Sequence, residues 1–446
     1  MKIFRGLEEA RAGLISANPW LNPQASESTL SFLEQAFGER IAPEEAVRRV
    51  IETVRVDGDD GIRELARRFD GVELSALEVT QEEIARAYDS VDTHVIDALH
   101  KAAEEIEAFH AQQSRTGWMD FERGVGQLIR PVQRAGIYVP GGRAAYPSTV
   151  LMIGIPARVA NVPEIFVTTP ARANGVVAPV TLVACSIARI NRVFRVGGPQ
   201  GVAAFALGTE SVPQVDKIFG PGNLLVQLAK KAVYGVVGID SLQGATETLV
   251  IADDRADPSL CAADLLAQAE HDPEARVVMV TTSERMAMRT GRELERQLRD
   301  LPENSPAHLS TQTGGFVIVD TDDDIADFCN AFAPEHLCIM TQDPHALIPR
   351  LRNAGGIFVG EHSPEVLADY IAGPSHSMPT GGAARYSSPV NVFEFLKVTS
   401  LVAVPEERLQ ALGPSGIAIA QAEGLVAHAN ALEIRMEAES AIDPAD

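Results

Sequence analysis

From about residue 127 to 250, short β-rich runs alternate with helical runs of small residues, and few architectures accommodate such a chain. The runs "GIYVP", "EIFVTTP", "RVFRVGG", "KIFGPG" and "TLVIAD" are separated by "TVLMIGIPARVA", "VTLVACSIARI", "GVAAFALG" and "LLVQLAKKAVYG". Strands joined through helices run parallel, and a parallel sheet needs helices on both faces. A second series follows, with "RVVMVTT", "GGFVIVD", "HLCIMT" and "GGIFVG" as strands. The residues before about 115 carry charged patterning of period 3.6, and after about 391 the chain reads as mainly helical. The pattern predicts two α/β domains with helical ends, which suits a length of 446 residues.

Charge narrows the function. With 38 basic against 61 acidic residues the net charge is −23, a field that repels nucleic-acid backbones and anionic lipid. Neither partner is expected. A polyanionic cofactor held locally by backbone N–H groups remains compatible. The amino terminus "MKIFRGLEEARAGLISA" has no apolar signal core, and the most apolar stretch is broken by Pro179. Cys185, Cys261, Cys329 and Cys338 form no CxxC pair and read as reduced, mostly buried thiols of a cytoplasmic protein.

Three glycine-rich turns follow strands: "YVPGGR" (138–143), "RVGGPQGVAAFALG" (195–208) and "KIFGPGNLLVQLAKK" (217–231). Glycine lets a backbone approach a phosphate, and a helix N-terminus supplies free N–H groups. None is the GxGxxG fingerprint, and ordinary βα turns also use glycine.

Polar residues in apolar settings come next. His94, His100, His110, His308 and His345 sit in charged or polar contexts and are expected to be solvated, whereas His271, His336 and His428 follow small or apolar runs. "AFAPEHLCIM" sets Glu335 and His336 side by side just before a strand, at a sheet edge where ligands bind. An imidazole beside a carboxylate can divide proton-transfer work. Asp369 falls near the end of a short helix, with His376 in the loop after it. Glu423 and His428, five residues apart, would diverge by roughly 140° on a straight helix and converge only if Gly424 bends the chain. In "LLAQAEHDPEA" the apolar side holds Leu265, Leu266 and Ala269, and Gln268 and His271 lie on the opposite side, about 60° apart. A wet helix face and half of a metal site both fit that geometry.

"QAEHD", "APEHL", "DYIAGPSH", "GTESVPQVDKIFGPGN" and "AEGLVAHAN", in their order and spacing, resemble the histidinol dehydrogenase family. The resemblance runs from about Arg134 to the C-terminal helix. It implies an α/β protein of two incomplete Rossmann-like domains with parallel sheets, aldehyde-dehydrogenase-like, plus helical N- and C-terminal segments. The implied division is an N-terminal helical segment (1–29), a first α/β domain (30–132 and 248–390), a second with the NAD-binding turns (133–247), and a dimerisation tail (391–446).

The activity implied is oxidation of L-histidinol through L-histidinal to L-histidine with two NAD⁺, by a homodimer holding one zinc ion per subunit. Zinc would be bound by Gln268, His271, Asp369 and His428, a mixed nitrogen and oxygen set that suits this metal. His336 would take the alcohol proton, and Glu335 would help activate water for the second oxidation. Thr246, His376 and Glu423 would touch substrate, as would the zinc ligands and His336, while Tyr138, Gln200 and Asn223 would touch NAD. Glu423 and His428 would serve the neighbouring subunit's site. Gly244-Ala245-Thr246-Glu247 stands where the family usually has Gly-Pro-Ser-Glu, and Ser375 where asparagine is usual. Alternatives are a related dehydrogenase of another small polyol such as a sulfopropanediol, a zinc hydrolase with Glu335 activating metal-bound water, and a non-catalytic metal-binding protein. The last two leave the three glycine-rich turns unexplained.

Overall fold

The computed structural model describes residues 1–15, 25–113, 116–141 and 145–440, without side chains for 438–440. Residues 16–24 of the expected N-terminal segment and residues 142 and 143 of the "YVPGGR" turn lie outside these.

Both β-rich series form parallel sheets. The larger has the strand order Lys2–Arg5, Gly315–Ile318, Arg276–Thr281, Glu247–Ala252, His336–Met340, Gly356–Val359. Every pairing in it is parallel. Alternate residues of each strand point to opposite faces, so the sheet feeds two cores. Leu249, Ile251, Val278, Val280, Leu337 and Ile339 pack with Phe328 and Phe332 of the helix Asp322–Phe332. Val250, Val277, Met279, Cys338 and Met340 pack on the other face with Leu265, Leu266 and Ala269 of the helix Pro258–Ala269.

The smaller sheet has the order Arg192–Phe194, Glu164–Thr168, Arg134–Tyr138, Lys217–Phe219, Gly238–Ile239, again all parallel. Its glycine-rich turns lead into the helices Gly198–Leu207 and Leu224–Val233. The helix Pro43–Asp70 packs its apolar stripe (Val47, Val50, Val54, Ile62, Leu65) on these two helices. It bends at Gly58, whose φ of 54° and ψ of −129° are non-helical. Asp59, just beyond the bend, accepts hydrogen bonds from Thr209 Oγ1 (2.6 Å) and the Ser211 amide (3.2 Å).

Three expectations need correction. The N-terminal segment is not all helical, because Lys2–Arg5 forms an edge strand beside Gly315–Ile318 before the helix Leu7–Leu14 begins. The helices within 43–111 cover the smaller sheet and its helices rather than the larger sheet. An amphipathic stripe shows that a face is buried without showing against what. His110 is fully buried, not solvated. It continues the stripe Leu99, Ala102, Ala103, Ile106 on the helix Thr93–Ala111, and its Nδ1 lies 3.1 Å from Gln113 Oε1.

The chain divides into two compact units, Met1–Gln113 with Val132–Phe395, and Ser114–Pro131 with Leu396–Asp446. The second contains an antiparallel sheet of Trp118–Asp120, Val125–Pro131 and Leu396–Val402 and a hairpin of the helices Glu406–Ala422 and Val426–Ser440. Close approach of the two helices is allowed at Gly413 and Gly416, where Met436 and Leu432 occupy the space a side chain would need. Gly424, with φ of 75°, makes the bend between them. Among the described residues no helix is long and apolar enough to cross a membrane. All four cysteines are free and buried.

Candidate active site

Glu335 and His336 follow the end of the helix Asp322–Phe332. Ala333 terminates that helix in a left-handed conformation (φ 52°), and Pro334 cannot continue it. A non-glycine residue in this region is strained, and such strain concentrates at functional positions. His336 then begins the central strand His336–Met340, in register with Thr248 and Gly356. The pair therefore stands at the amino end of the larger sheet, whereas ligands of open α/β sheets ordinarily bind at the carboxyl end.

One neighbour holds both groups. The Glu247 amide donates to Glu335 Oε2 (3.2 Å), and the Glu247 carbonyl oxygen lies 3.3 Å from His336 Nδ1. A carbonyl only accepts, so the Nδ1 proton points at Glu247 and the neutral ring keeps its lone pair on Nε2. Glu247 is itself anchored by Arg276 Nη1 (3.0 Å) and the Gly381 amide (3.1 Å). Phe358 stacks along the imidazole, ring centroids 5.7 Å apart.

His336 Nε2 faces Asp369 Oδ1 at 3.5 Å, a distance for charge attraction without an aligned hydrogen bond. Burial works to lower the His336 pKa, but the carboxylates of Glu335, Asp369 and Glu365 outweigh it and raise it. Burial likewise opposes ionisation of Asp369, and His336, followed by His376 and His271, reverses the balance and holds its pKa low. For Glu335 burial prevails over His336 and the Thr246 and Glu247 hydrogen bonds, pushing the carboxyl up to about 7.

Thr246 joins the acid to the rest of the site. Its hydroxyl lies 2.7 Å from Glu335 Oε2 and 2.8 Å from Gln268 Oε1. One hydroxyl proton cannot serve two acceptors. Both contacts are satisfied when a protonated Glu335 donates to Thr246 Oγ1 and Thr246 donates to Gln268 Oε1. Gln268 Nε2 then donates to Asp369 Oδ2 at 3.2 Å. A proton near neutral pH, an amide oxygen and an ionised carboxylate thus lie on one hydrogen-bonded chain.

Gln268 is 1 % exposed, which removes the wet-face alternative for this residue. The helix Pro258–Ala269 buries Leu265, Leu266 and Gln268 together. It stops at Ala269 ahead of Pro273, so His271 lies beyond its last turn and is exposed. His376 donates from Nδ1 to the Asp369 carbonyl (2.7 Å), and its Nε2 is 3.4 Å from Thr149 Oγ1. Thr149 belongs to the helix Pro147–Val159 of the smaller sheet's domain. Burial lowers the His376 pKa.

Glu423 and His428 are exposed on the second unit, Glu423 capping the end of the helix Glu406–Ala422 and His428 in the first turn of Val426–Ser440. Among the described residues no three His, Cys, Asp or Glu side chains are grouped as a metal site. Of the four expected ligands, one is an amide and one belongs to the second unit.

The glycine-rich turns gather at the carboxyl end of the smaller sheet. There Tyr138, Gly141, Gly198, Pro199 and Asn223 line a cavity of about 520 Å³, together with Phe69, Asp70 and Arg172. The Tyr138 hydroxyl accepts from the Gly198 amide (3.2 Å), and Asn223 Oδ1 caps its helix by accepting from the Val226 amide (3.1 Å). Gln200 is fully buried and is not part of the cavity wall. It donates toward Asp70 Oδ2 at 3.4 Å, and its Oε1 has no partner.

Sequence reasoning missed Glu247, Thr149 and Phe358. A backbone carbonyl carries no residue signature, so only the position of Glu247 next to Thr246 pointed to it.

Comparison with known proteins finds relatives over nearly the whole chain. A family model described as Histidinol dehydrogenase matches residues 36–436. The histidinol dehydrogenase of Deinococcus radiodurans is 47 % identical over 442 residues, covering 98 % of this chain and all of that one. That of Dehalococcoides mccartyi is 43 % identical over 439 residues, with 98 % and full coverage. The crystal structure of histidinol dehydrogenase from Elizabethkingia anophelis superposes with a TM-score of 0.91 at 32 % identity, covering 99 % of each chain. The chain belongs to the histidinol dehydrogenase family.

Proposed function

We propose that this chain is an NAD- and zinc-dependent L-histidinol dehydrogenase of histidine biosynthesis, oxidising L-histidinol through L-histidinal to L-histidine. The observation that carries the reading is the continuous set Glu335, Thr246, Gln268, Asp369 and His336, which puts a carboxyl of near-neutral pKa and an imidazole beside two oxygens of a kind that zinc accepts. The donor chemistry fits zinc. Asp369 is held ionised among three imidazoles, and Gln268 Oε1 has a second lone pair beyond the one facing Thr246. Gln268, His271 and Asp369 would hold the ion together with His428. Bound there, zinc would orient the imidazole and amine of the substrate.

The residues then act in turn. His336 Nε2, its tautomer fixed by the Glu247 carbonyl, would take the alcohol proton in each oxidation of the carbinol carbon. With Asp369 engaged by a cation, less carboxylate charge holds the imidazole protonated, which suits a base. Glu335, with a pKa near neutrality, would in its ionised form take a proton from the water that adds to the aldehyde. Bound NAD would supply the oxidising equivalents, two NAD⁺ and one water for each histidinol carried to the acid. The cavity of about 520 Å³ supports a dinucleotide seat, with Tyr138 and Asn223 in contact and Gln200 supporting from behind.

The partner is a second copy of the chain. Exposed apolar side chains crowd the second unit, among them Val398, Val402, Leu412, Ile419, Val426 and Ile434, and a patch of this kind marks an association surface. A shared surface would let Glu423 and His428 complete the neighbour's site.

NADH formation with L-histidinol, before and after chelation and after zinc return, tests the reading. Two NADH per histidine are expected. Turnover of dihydroxypropanesulfonate but not histidinol, or hydrolysis without nicotinamide, would overturn it.

A further inference from the structure

The turn Gly220-Pro221-Gly222-Asn223 carries Asn223 to the cavity, and it is gripped from beneath by a buried ion pair. Gly220 has a φ of 113°, and a side chain there would collide with the Tyr138 carbonyl oxygen. The position is thus fixed against the strand that supplies Tyr138. Both main-chain groups of Gly220 are taken. Its amide donates to Asp240 Oδ2 at 2.8 Å, and its carbonyl accepts from Lys230 Nζ at 2.9 Å. Lys230 and Asp240 pair with each other at 2.5 Å, their side chains 0 % and 3 % exposed.

Stability alone does not account for such a pair, since well-packed apolar residues of similar size are often as good or better. Its geometry suggests another role. Lys230 lies one turn beyond Gln227 on the helix Leu224–Val233, and Gln227 Nε2 reaches the Gly222 carbonyl at 3.4 Å. From Asp240 the chain runs toward the catalytic residues. The Gln243 amide donates to Gln227 Oε1 (2.9 Å), the Gly244 amide donates to Thr380 Oγ1 (2.6 Å), and Thr246 follows.

We propose that Lys230 and Asp240 are positioning residues for the dinucleotide, clasping Gly220 so that the Asn223 turn keeps its height against Tyr138. The clasp acts only through backbone, and neither side chain is part of the cavity wall. This inference rests on the reading of the cavity as the cofactor seat.

The test uses the full-length, zinc-loaded enzyme and the variants K230M and K230M/D240N. The single variant strands a buried carboxylate and is expected to fold poorly. The double variant removes that charge and is expected to melt close to wild type. Its KM for NAD⁺ should rise by about tenfold or more, with the KM for histidinol unchanged and kcat nearly so. Should the double variant not fold, K230Q/D240N keeps neutral hydrogen-bonding groups, and a smaller rise confined to NAD⁺ is expected. Wild-type NAD⁺ kinetics in a folded variant, or equal changes in both KM values, would overturn the clasp while leaving the cavity assignment standing. Failure of the wild-type enzyme to bind NAD⁺ by calorimetry would overturn the cavity assignment itself, and the clasp with it.

Discussion

His336 points its Nδ1 proton at the carbonyl oxygen of Glu247, 3.3 Å away, and so presents Nε2 to the side of the site that holds Asp369. Asparagine at 336 can keep a hydrogen bond to that carbonyl but has no basic nitrogen. H336N should retain its fold and zinc content while losing about a hundred- to ten-thousand-fold in kcat. Metal analysis, a thermal melt and NADH formation check this. Near-wild-type turnover would remove His336 as the base.

Thr246 is the junction between Glu335 and Gln268. In T246V the volume is kept and the hydroxyl lost, leaving buried Glu335 and Gln268 oxygens without this partner. Unfolding free energy should fall by about 1–3 kcal/mol, and kcat should fall with it. T246S should stay close to wild type in both, as followed by denaturant unfolding and steady-state kinetics.

Metal removal should separate the role of the candidate zinc residues from that of the cavity. Chelation should abolish histidinol oxidation and zinc return should restore it, while NAD⁺ binding measured by calorimetry persists throughout. H271N should lower zinc affinity and activity together. Mixing inactive H271N and H428N subunits should recover part of the activity through hybrid sites. No recovery after verified subunit exchange would count against a shared site.

Asp59 makes stability depend on acid. Burial alone would raise its pKa, but the Ser211 and Thr209 hydroxyls, the Ser211 amide and the Arg63 charge outweigh burial and depress it. The folded state therefore binds this proton more weakly than the unfolded chain does. The resulting stabilisation is complete above the ordinary aspartate pKa of about 3.9 and disappears as pH falls through the lower folded value. D59N should cost about 1.5 kcal/mol or more at pH 7, and the gap to wild type should narrow below about pH 4. An equal gap at pH 7 and pH 3 in urea melts would contradict this.

The two parallel sheets were legible because runs such as "TLVIAD" and "HLCIM" are apolar on both faces, a pattern that a doubly covered strand imposes. Lys2–Arg5 was not legible, since four residues cannot display a period. The strand Trp118–Asp120 was missed because three residues are too short to show a period, and Leu396–Val402 because it is largely exposed and carries no apolar run. Within the site, the adjacency of Glu335 and His336 was visible in the residues themselves. For Gln268 the helical wheel left a wet face and a metal site both open, because Glu270 beside it is solvated while the amide itself turns inward. Supporting contacts made by main-chain atoms, as at Glu247 and Gly220, leave no trace in residue identity.

Using the amino end of one parallel sheet and the carboxyl end of the other has an electrostatic consequence. The helices Pro258–Ala269 and Asp322–Phe332 both finish at the catalytic end, and a helix C-terminus carries roughly half a negative charge. The helices Gly198–Leu207 and Leu224–Val233 both begin at the cavity end, where the dipole has the opposite sign. The catalytic side of the larger sheet is thus inherently hospitable to a cation, and the cavity side of the smaller sheet to phosphate. A chain with a net charge of −23 can in this way present a local welcome to an anion, peptide dipoles adding to the charge of Arg172 in the cavity wall.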